Sequence, residues 1–469
     1  MPGNSGLSSD VERSHGRPLI VGAGVLAMPL ALSHMGMLLG VIIILWAGLT
    51  AGFGLYLQTK CARYLDRGSA SFFALSQITY PNAAVIFDAA ISIKCFGVGV
   101  SYLIIIGDLM PGVVRGFSED AGGVGFLVDR HFWVTGFMLI VIPLSFLRRL
   151  DSLKYTSIIA LISIGYLVIL VVAHFIKGDT MQDRGPLRVV RPESAVATLS
   201  SFPVIVFAYT CHQNMFSILN EIGNNSHFRT TAVVVASIGV AAFIYILVAI
   251  TGYLSFGNSV GGNIVALYAP SISATIGKAA IVVLVMFSYP LQVHPCRASV
   301  DAVLKWRPMR RSDTHSDSPN RQVPLLAPPI KTRGDTMSDT RFAAITTAII
   351  VLSYIVAMTV SSLEKVLAYV GSTGSTSISF ILPGLFYYKI SSPDSPQHQR
   401  LMKEDDDEFD EDDEGREDEG LLGGMRVLKR SGPWRRKLVR RLSLALAIYG
   451  LVVMVTCLIT NTLFVVAPH

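Results

Sequence analysis

Charge is what this sequence has least of. Only 15% of its 469 residues are Asp, Glu, Lys or Arg, against 51% hydrophobic residues, whereas soluble domains run near a quarter charged. The shortage excludes an ordinary soluble domain. A formal net charge of +6 comes with no basic patch interleaved with aromatics, so no nucleic acid is expected. Cysteine is scarce as well. Five cysteines, at 61, 95, 211, 296 and 457, are too few and too scattered for a disulfide scaffold or a zinc site. No stretch has calcium-loop spacing, and no nucleophile–base pair or phosphate loop occurs. Neither a metal, an organic cofactor nor enzymatic activity is expected.

What the chain does have is apolar runs, each near the 20 residues needed to cross a bilayer. They fall at 19–34, 37–57, 83–107, 132–147, 156–176, 196–219, 230–254, 274–294, 342–361, 366–388 and 441–466. This predicts an all-α polytopic membrane protein of about eleven transmembrane helices. Arg13 and Arg17 ahead of Leu19–Leu32 also fit a secretory leader, but the glycines and proline of that run argue against one. With a cytoplasmic N-terminus, 30 of the 39 basic residues fall on the cytoplasmic side, as the positive-inside rule requires. The C-terminus then faces away from the cytoplasm, and the sequon Asn224-Asn225-Ser226 lies on the cytoplasmic side, where it is expected to be unused.

The spans divide the chain into a polar tail (1–18), helices one to eight (19–296), a loop (297–341), helices nine and ten (342–388), a second loop (389–440) and the last helix with a short end (441–469). The first loop is rich in Pro, Ser, Asp and Arg without periodicity and is expected to be disordered. The second holds 13 acids in the 16 positions Glu404–Glu419, a block that repels itself and stays disordered, so it is expected to be dispensable for chemistry in the membrane. A basic run, "RVLKRSGPWRRKLVRR", follows directly and suits anionic lipid headgroups.

Two spans are weakened where a membrane helix should be strongest. The first carries Gly22-Ala23-Gly24 and Pro29; the sixth carries Tyr209, Thr210, Cys211, His212, Gln213 and Asn214 in a row. Irregular backbone survives in the membrane only where it lines a cavity or is buried in protein, and paired breaks five helices apart mark inverted-repeat carriers. Helices one and six broken together are the arrangement of the five-plus-five inverted repeat of LeuT-like carriers. The chemistry suits an α-amino acid. Amides at the start of a half-helix bind its carboxylate, freed carbonyls and the Thr210 hydroxyl accept from its ammonium, and glycine lets a ligand approach the backbone. His212 is expected to face the cavity. In the eighth span Ser288 offers a hydroxyl at depth, and Pro290 and Pro295 loosen the end. Lys94, about twelve residues from either end of the third span, is too deep to snorkel; a structural ion pair and a coupling role are both open.

The segments "IVGAGVLAMPLALSHMG", "KCFGVGVSYLIIIGDLMPG", "VFAYTCHQNMFSILNEI", "GYLSFGN", "FSYPLQVHPCRAS" and "GSTGSTSISFILPGLFYYK" closely resemble the amino acid/auxin permease family. Within it they look most like fungal vacuolar amino-acid transporters of the Avt type, relatives of sodium-coupled neutral amino-acid transporters. The resemblance covers the spans from Val21 to Val466 except the two loops. It implies eleven helices, a LeuT-like core of the first ten, and amino-acid transport driven by proton or sodium gradients. It also implies that Gly22, Ala23, Gly24 and Val25 form the carboxylate segment, that Tyr209, Thr210, Cys211 and His212 form the sixth-helix break, and that Ser288 sits where sodium-dependent relatives help hold the cation.

One departure stands out. Relatives carry a further half-helix before the glycines with an Asn a few residues ahead of them; here "SHGRPL" stands there, with Pro18 in the Asn position. Leu19–His34 would span only about 24 Å, short of the roughly 30 Å core. The front of helix one is expected to be missing or altered, as a misplaced start would leave it. The sequence thus points to a secondary active amino-acid carrier in an organelle membrane, vacuolar or lysosomal, working by alternating access. Protons are preferred over sodium because the Asn is absent and His212, His294 and Lys94 can titrate. The rival from another class is a transport-incompetent amino-acid sensor or scaffold of the same fold, favoured by the short first helix and the long charged loops.

Overall fold

The computed structural model describes residues 21–463 apart from 66–67, 118–122, 149–152, 182–183, 222–226, 306–336 and 401–432. The polar tail with Pro18, the glycosylation sequon, most of the first loop and the acidic run Glu404–Glu419 lie outside the described residues.

Among the described residues the chain is helical, and eight helices are long and apolar enough to cross a membrane. The elements are α1 (Ala23–Met35), α2 (Met37–Ala62), α3 (Phe72–Thr79), α4 (Ala84–Phe117), α5 (Arg130–Ser145), α6 (Leu153–Lys177), α7 (Ala195–Ala208), α8 (His212–Glu221), α9 (His227–Phe256), α10 (Ile264–Leu267), α11 (Ile272–Lys305), α12 (Asp339–Thr359), α13 (363–390) and α14 (Pro433–Leu463). Three of the spans expected from the sequence are met by shorter or irregular elements. The first and fourth are the 13- and 16-residue α1 and α5, and the tenth is the compound helix α13.

Several helices run past their expected ends, as α4 does in reaching Phe117 rather than residue 107, and at α11 tertiary contacts account for the difference. α11 does not stop at Cys296 but runs to Lys305. Arg297 is buried and donates to the Ser145 carbonyl (3.2 Å) and the Thr346 hydroxyl (2.9 Å), and its guanidinium lies 3.9 Å from the Phe342 ring centre. These contacts on α5 and α12 hold in helical form a stretch whose prolines read as an ending. Likewise α14 begins at Pro433, inside the basic run, with Pro at the helix start where its missing N–H costs nothing. Arg440 within it donates to the Tyr388 carbonyl (3.2 Å) and stacks over the Tyr388 ring.

The backbone departs from α-geometry at three depths. α1 begins as a tight 3₁₀ turn, Ala23–Ala27, before becoming α-helical at Met28, with Pro29 in its first turn. α7 and α8 are two halves of the sixth span, separated at Tyr209, Thr210 and Cys211. α13 winds as Leu363–Val370, then two π-helical stretches, Gly371–Ser375 and Ser377–Ile381, then Leu382–Ile390; such wide turns gather at functional sites.

Small residues set how closely these elements approach. α4 and α11 pack along one another, and α13 packs on both α4 and α7. A Cβ added to Gly374 would stand 2.6 Å from the Cβ of Lys94, so only glycine lets α13 lie against α4 there.

Candidate functional site

Where the two interrupted helices meet there is a cavity of about 190 Å³. The start of α1 and the end of α7 touch: a Cβ on Gly24 would lie 2.7 Å from the Ala208 Cβ and 2.8 Å from its Cα. The break in the sixth span frees backbone groups at depth, and side chains answer for some of them. The Tyr245 hydroxyl of α9 donates to the Ala208 carbonyl at 2.7 Å, and the Thr210 hydroxyl donates to the Val206 carbonyl at 2.8 Å. At α1, Val25 N–H returns to the Gly22 carbonyl (3.2 Å), while the amides of a helix's first turn, here Ala23 and Gly24, have no intrahelical acceptor. Both residues line the cavity.

Of the residues singled out in the sequence, Gly22, Ala23, Gly24, Thr210, Cys211, Ser288 and Lys94 line this one cavity. The backbone breaks of α1 and of the sixth span, the middle of α4 and the inner face of α11 are therefore brought together. Four others are not. Val25 is buried in packing. Tyr209 is fully buried, its ring edge-on to Tyr245 at 5.0 Å and beside Gly48 of α2. His294 is exposed on α11, away from the cavity.

The expectation that His212 faces the cavity is corrected. Its side chain, with 0% of its surface exposed, turns the other way: Nε2 lies 3.1 Å from the Ala51 carbonyl and Nδ1 lies 3.2 Å from the Ser379 hydroxyl. A carbonyl can only accept, so Nε2 carries the proton and Nδ1 is left to accept from Ser379. Ser379 also meets the Thr210 hydroxyl at 3.0 Å. His212 is thus the clamp that ties the start of α8 to α2 and to the π-helical part of α13.

The family model described as "Transmembrane amino acid transporter protein" matches residues 19–405, which takes in all of these cavity-lining positions. The chain belongs to that family. It is a family of transporters and not of enzymes. The chain is similar to vacuolar amino acid transporter 5 of Schizosaccharomyces pombe, 42% identical over 447 residues that cover 94% of this chain and 91% of that protein. It is also similar to vacuolar amino acid transporter 6 of Saccharomyces cerevisiae, 38% identical over 461 residues and 93% and 95% of the two chains. A more distant likeness, 28% over 298 residues and 60% and 61% of the two chains, is to sodium-coupled neutral amino acid transporter 7 of Danio rerio.

In this member of the family, the cavity has further walls that the sequence reading did not single out as site residues. Tyr102 lies eight residues beyond Lys94 on α4, and Gln292 four residues beyond Ser288 on α11. Those intervals put each pair on one helix face, which is the signal that would have found them. Gln213 and Asn214, at the start of α8, complete the polar side. The side-chain oxygens of Gln213 and Gln292 are buried without a hydrogen-bond partner. Buried polar atoms are ordinarily paired, so the cavity presents two acceptors still able to take a hydrogen bond.

Proposed function

We propose that this chain is a secondary active carrier that moves amino acids across the vacuolar membrane by alternating access. It would be built on a LeuT-like five-plus-five repeat with its N-terminus cytoplasmic and its C-terminus lumenal. The observation that carries the reading is the cavity at the meeting of two helix breaks, with free amides on one side and orphan acceptors on the other. An α-amino acid is complementary to that pairing. Its carboxylate accepts from the amides of Ala23 and Gly24, where the dipole of α1 is positive, and its ammonium donates to Gln213, Gln292 and the Thr210 hydroxyl. The names of the vacuolar relatives, which match nearly end to end, support the same substrate class and membrane.

Proton coupling is the finer part of the proposal. The cavity holds a lysine and, among its described lining residues, no carboxylate; a bound sodium ion would face a like charge there with only neutral oxygens, such as Ser288, to hold it. Alternating access is supported by a second set of contacts at the far end of α1. The His34 ring nitrogen lies 2.6 Å from the Ser201 hydroxyl of α7 and 3.5 Å from a Glu364 oxygen of α13, and Arg188 pairs with Glu193 beside them (2.9 Å). These join three helices on one side of the cavity and have to part for that side to open. The vacuolar relatives that match this chain nearly end to end are named as transporters, which favours a carrier over a sensor of the same fold.

The test is counterflow in proteoliposomes made from the purified full-length chain. Vesicles loaded with unlabelled amino acids are expected to accumulate labelled amino acid, and an imposed proton gradient, but not a sodium gradient, is expected to drive net uptake. Binding without exchange would establish the sensor instead.

A further inference from the structure

Just past the end of α13 the chain reads "SSPDSP", Ser391 to Pro396, in which Ser392 and Ser395 each precede a proline. The first of these hydroxyls already faces a cation. Ser392 Oγ accepts from Arg440 Nη2 of α14 at 3.3 Å. Other contacts aim that guanidinium: Nε donates to the Tyr388 carbonyl (3.2 Å), and the group lies 4.7 Å from the centre of the Tyr388 ring. Among the described residues Nη1 has no acceptor and Arg440 has no carboxylate partner. Arg436 stands one turn earlier on the same face of α14. The His398 imidazole beside them is pushed below its ordinary 6.5, by burial first and then by the charges of Arg436 and Arg440. Like charges four residues apart repel, and here they lie near the positive end of the α14 dipole, with no acid in the first turn to offset them. In the described segment 391–400 the one acid is Asp394, which is exposed and makes no ion pair. Positive charge is thus gathered around a half-buried hydroxyl without an anion to meet it.

We infer that Ser392 is a phosphorylation site whose phosphate locks the end of α13 to α14. With the N-terminus cytoplasmic, as proposed above, α13 ends on the cytoplasmic side, where ATP is present. Ser392 Oγ attacks the γ-phosphorus of ATP held by a serine kinase that requires a following proline. The bond from that phosphorus to the ADP oxygen breaks, and the hydroxyl proton leaves to a base of the kinase. The product carries nearly two negative charges near pH 7 and three acceptor oxygens. Arg440 can then meet it with both terminal nitrogens, and Arg436 answers the remaining charge; charge-assisted bonds of this kind are roughly twice as strong as neutral ones. Ser395 is the internal comparison, since its hydroxyl donates to Gln397 Oε1 (2.9 Å) and meets no arginine among the described residues. The lock would act on packing that is already close: a Cβ on Gly384 would stand 2.5 Å from the Ser443 carbonyl oxygen, and one on Gly450 2.7 Å from the Phe380 Cβ. α13 also carries Gly374 against Lys94 and Ser379 against Thr210, so holding its end to α14 stills one wall of the cavity. The expected slowing of exchange is the part that rests on the carrier reading; the site and the lock do not.

The experiment compares the purified full-length chain unmodified, with phosphoserine incorporated at 392, and with phosphoserine incorporated at 395. Phosphoserine at 392 is expected to raise the melting temperature by several degrees, and phosphoserine at 395 to leave it unchanged. Arg440→Gln is expected to remove the gain. Arg436→Gln is expected to reduce it by about half, and keeps the test decisive if Arg440→Gln fails to fold. Incubating the unmodified folded protein with ATP and a cyclin-dependent kinase is expected to phosphorylate Ser392, read by mass spectrometry, and Ser392→Ala is expected to lose that phosphopeptide. In proteoliposomes phosphoserine at 392 is expected to slow maximal counterflow at least about fivefold with KM unchanged. No gain in melting from phosphoserine at 392, an equal gain from 395, or a full gain in the folded Arg440→Gln or Arg436→Gln protein would overturn the lock. Failure of the kinase to modify Ser392 in the folded chain would overturn the site. A gain in melting with unaltered counterflow would overturn the effect on transport, whereas wild type that exchanges no amino acid would overturn the carrier reading and leave the melting and labelling results to decide the site.

Discussion

Replacing Gly24 with alanine tests whether the contact between α1 and α7 shapes the cavity. The added Cβ would stand 2.7 Å from the Ala208 Cβ and 2.8 Å from its Cα, whereas carbons rest about 3.5–4.0 Å apart. The two half-helices must therefore separate by roughly 1 Å, and the opposing atoms are backbone and a Cβ, which cannot rotate aside. Overpacking of this kind costs about 1–3 kcal/mol, equivalent to roughly 5- to 150-fold in an equilibrium constant. Gly24→Ala is expected to lower the melting temperature of the detergent-purified protein by a few degrees and to slow amino-acid counterflow at least fivefold. Gly22→Ala is the control, because a Cβ there meets nothing within 4 Å and its backbone is extended (φ −131°, ψ −158°); its melting temperature is expected to stay at the wild-type value. Gly24→Ala with wild-type melting and wild-type exchange would refute the claim that this contact sets the geometry of the site.

Three further outcomes follow from the same coordinates. His212→Ala removes the buried bonds to Ala51 and Ser379, each lost partner costing about 1–3 kcal/mol, and is expected to lower the melting temperature while leaving KM within about threefold; unchanged stability would deny the clamp. Among the described residues Cys211 is the one cysteine lining the site cavity and the other four are buried, so a membrane-permeant thiol reagent is expected to block counterflow in wild type but not in Cys211→Ser, with saturating substrate protecting; equal block of both proteins would place the reactive thiol elsewhere. Asp129, outside the membrane-spanning part of α5, caps that helix by accepting from the His131 and Phe132 amides, and the bond from the His131 amide holds its carboxyl below the ordinary value of 3.8. With the folded value depressed, its stabilisation is present above pH 3.8 and disappears as pH falls through the lower folded value. The melting difference between wild type and Asp129→Ala, to which the His131 ring 3.2 Å from the same carboxylate also contributes, is therefore expected not to shrink from pH 7 to 5 and to be lost only under strong acid, which a loss beginning near pH 6 would contradict.

Both helix breaks were legible because glycine and strings of polar residues are costly in hydrocarbon unless they serve a site, and composition alone exposes that cost. Which way His212 points was not legible. It is the first residue of α8, and the direction of a helix's first side chain depends on how the preceding break turns, a matter of three backbone residues and their partners on α2 and α13. Gln292 was missed because a glutamine near the end of a span reads as interfacial; only the contact of α11 with the cavity distinguishes it. Likewise the continuation of α11 past Cys296 depends on Ser145, Thr346 and Phe342 receiving Arg297, partners far away in sequence. The run "GSTGSTSISF" shows small polar residues but carries no mark of π winding, which arises where α13 must fit against α4, α7 and α14 at once.

That winding has a mechanical consequence. An α-helix rotates each residue by about 100° relative to the one before it, so shifting the pairing of a turn from i→i+5 to i→i+4 swings every later side chain around the axis without opening the helix. Within Gly371–Ile381 the residue against Lys94 (Gly374) and the one bonded to His212 and Thr210 (Ser379) lie on the same slack segment. Rewinding it would release both contacts in a single movement, so α13 has the means to act as a screw and needs no hinge.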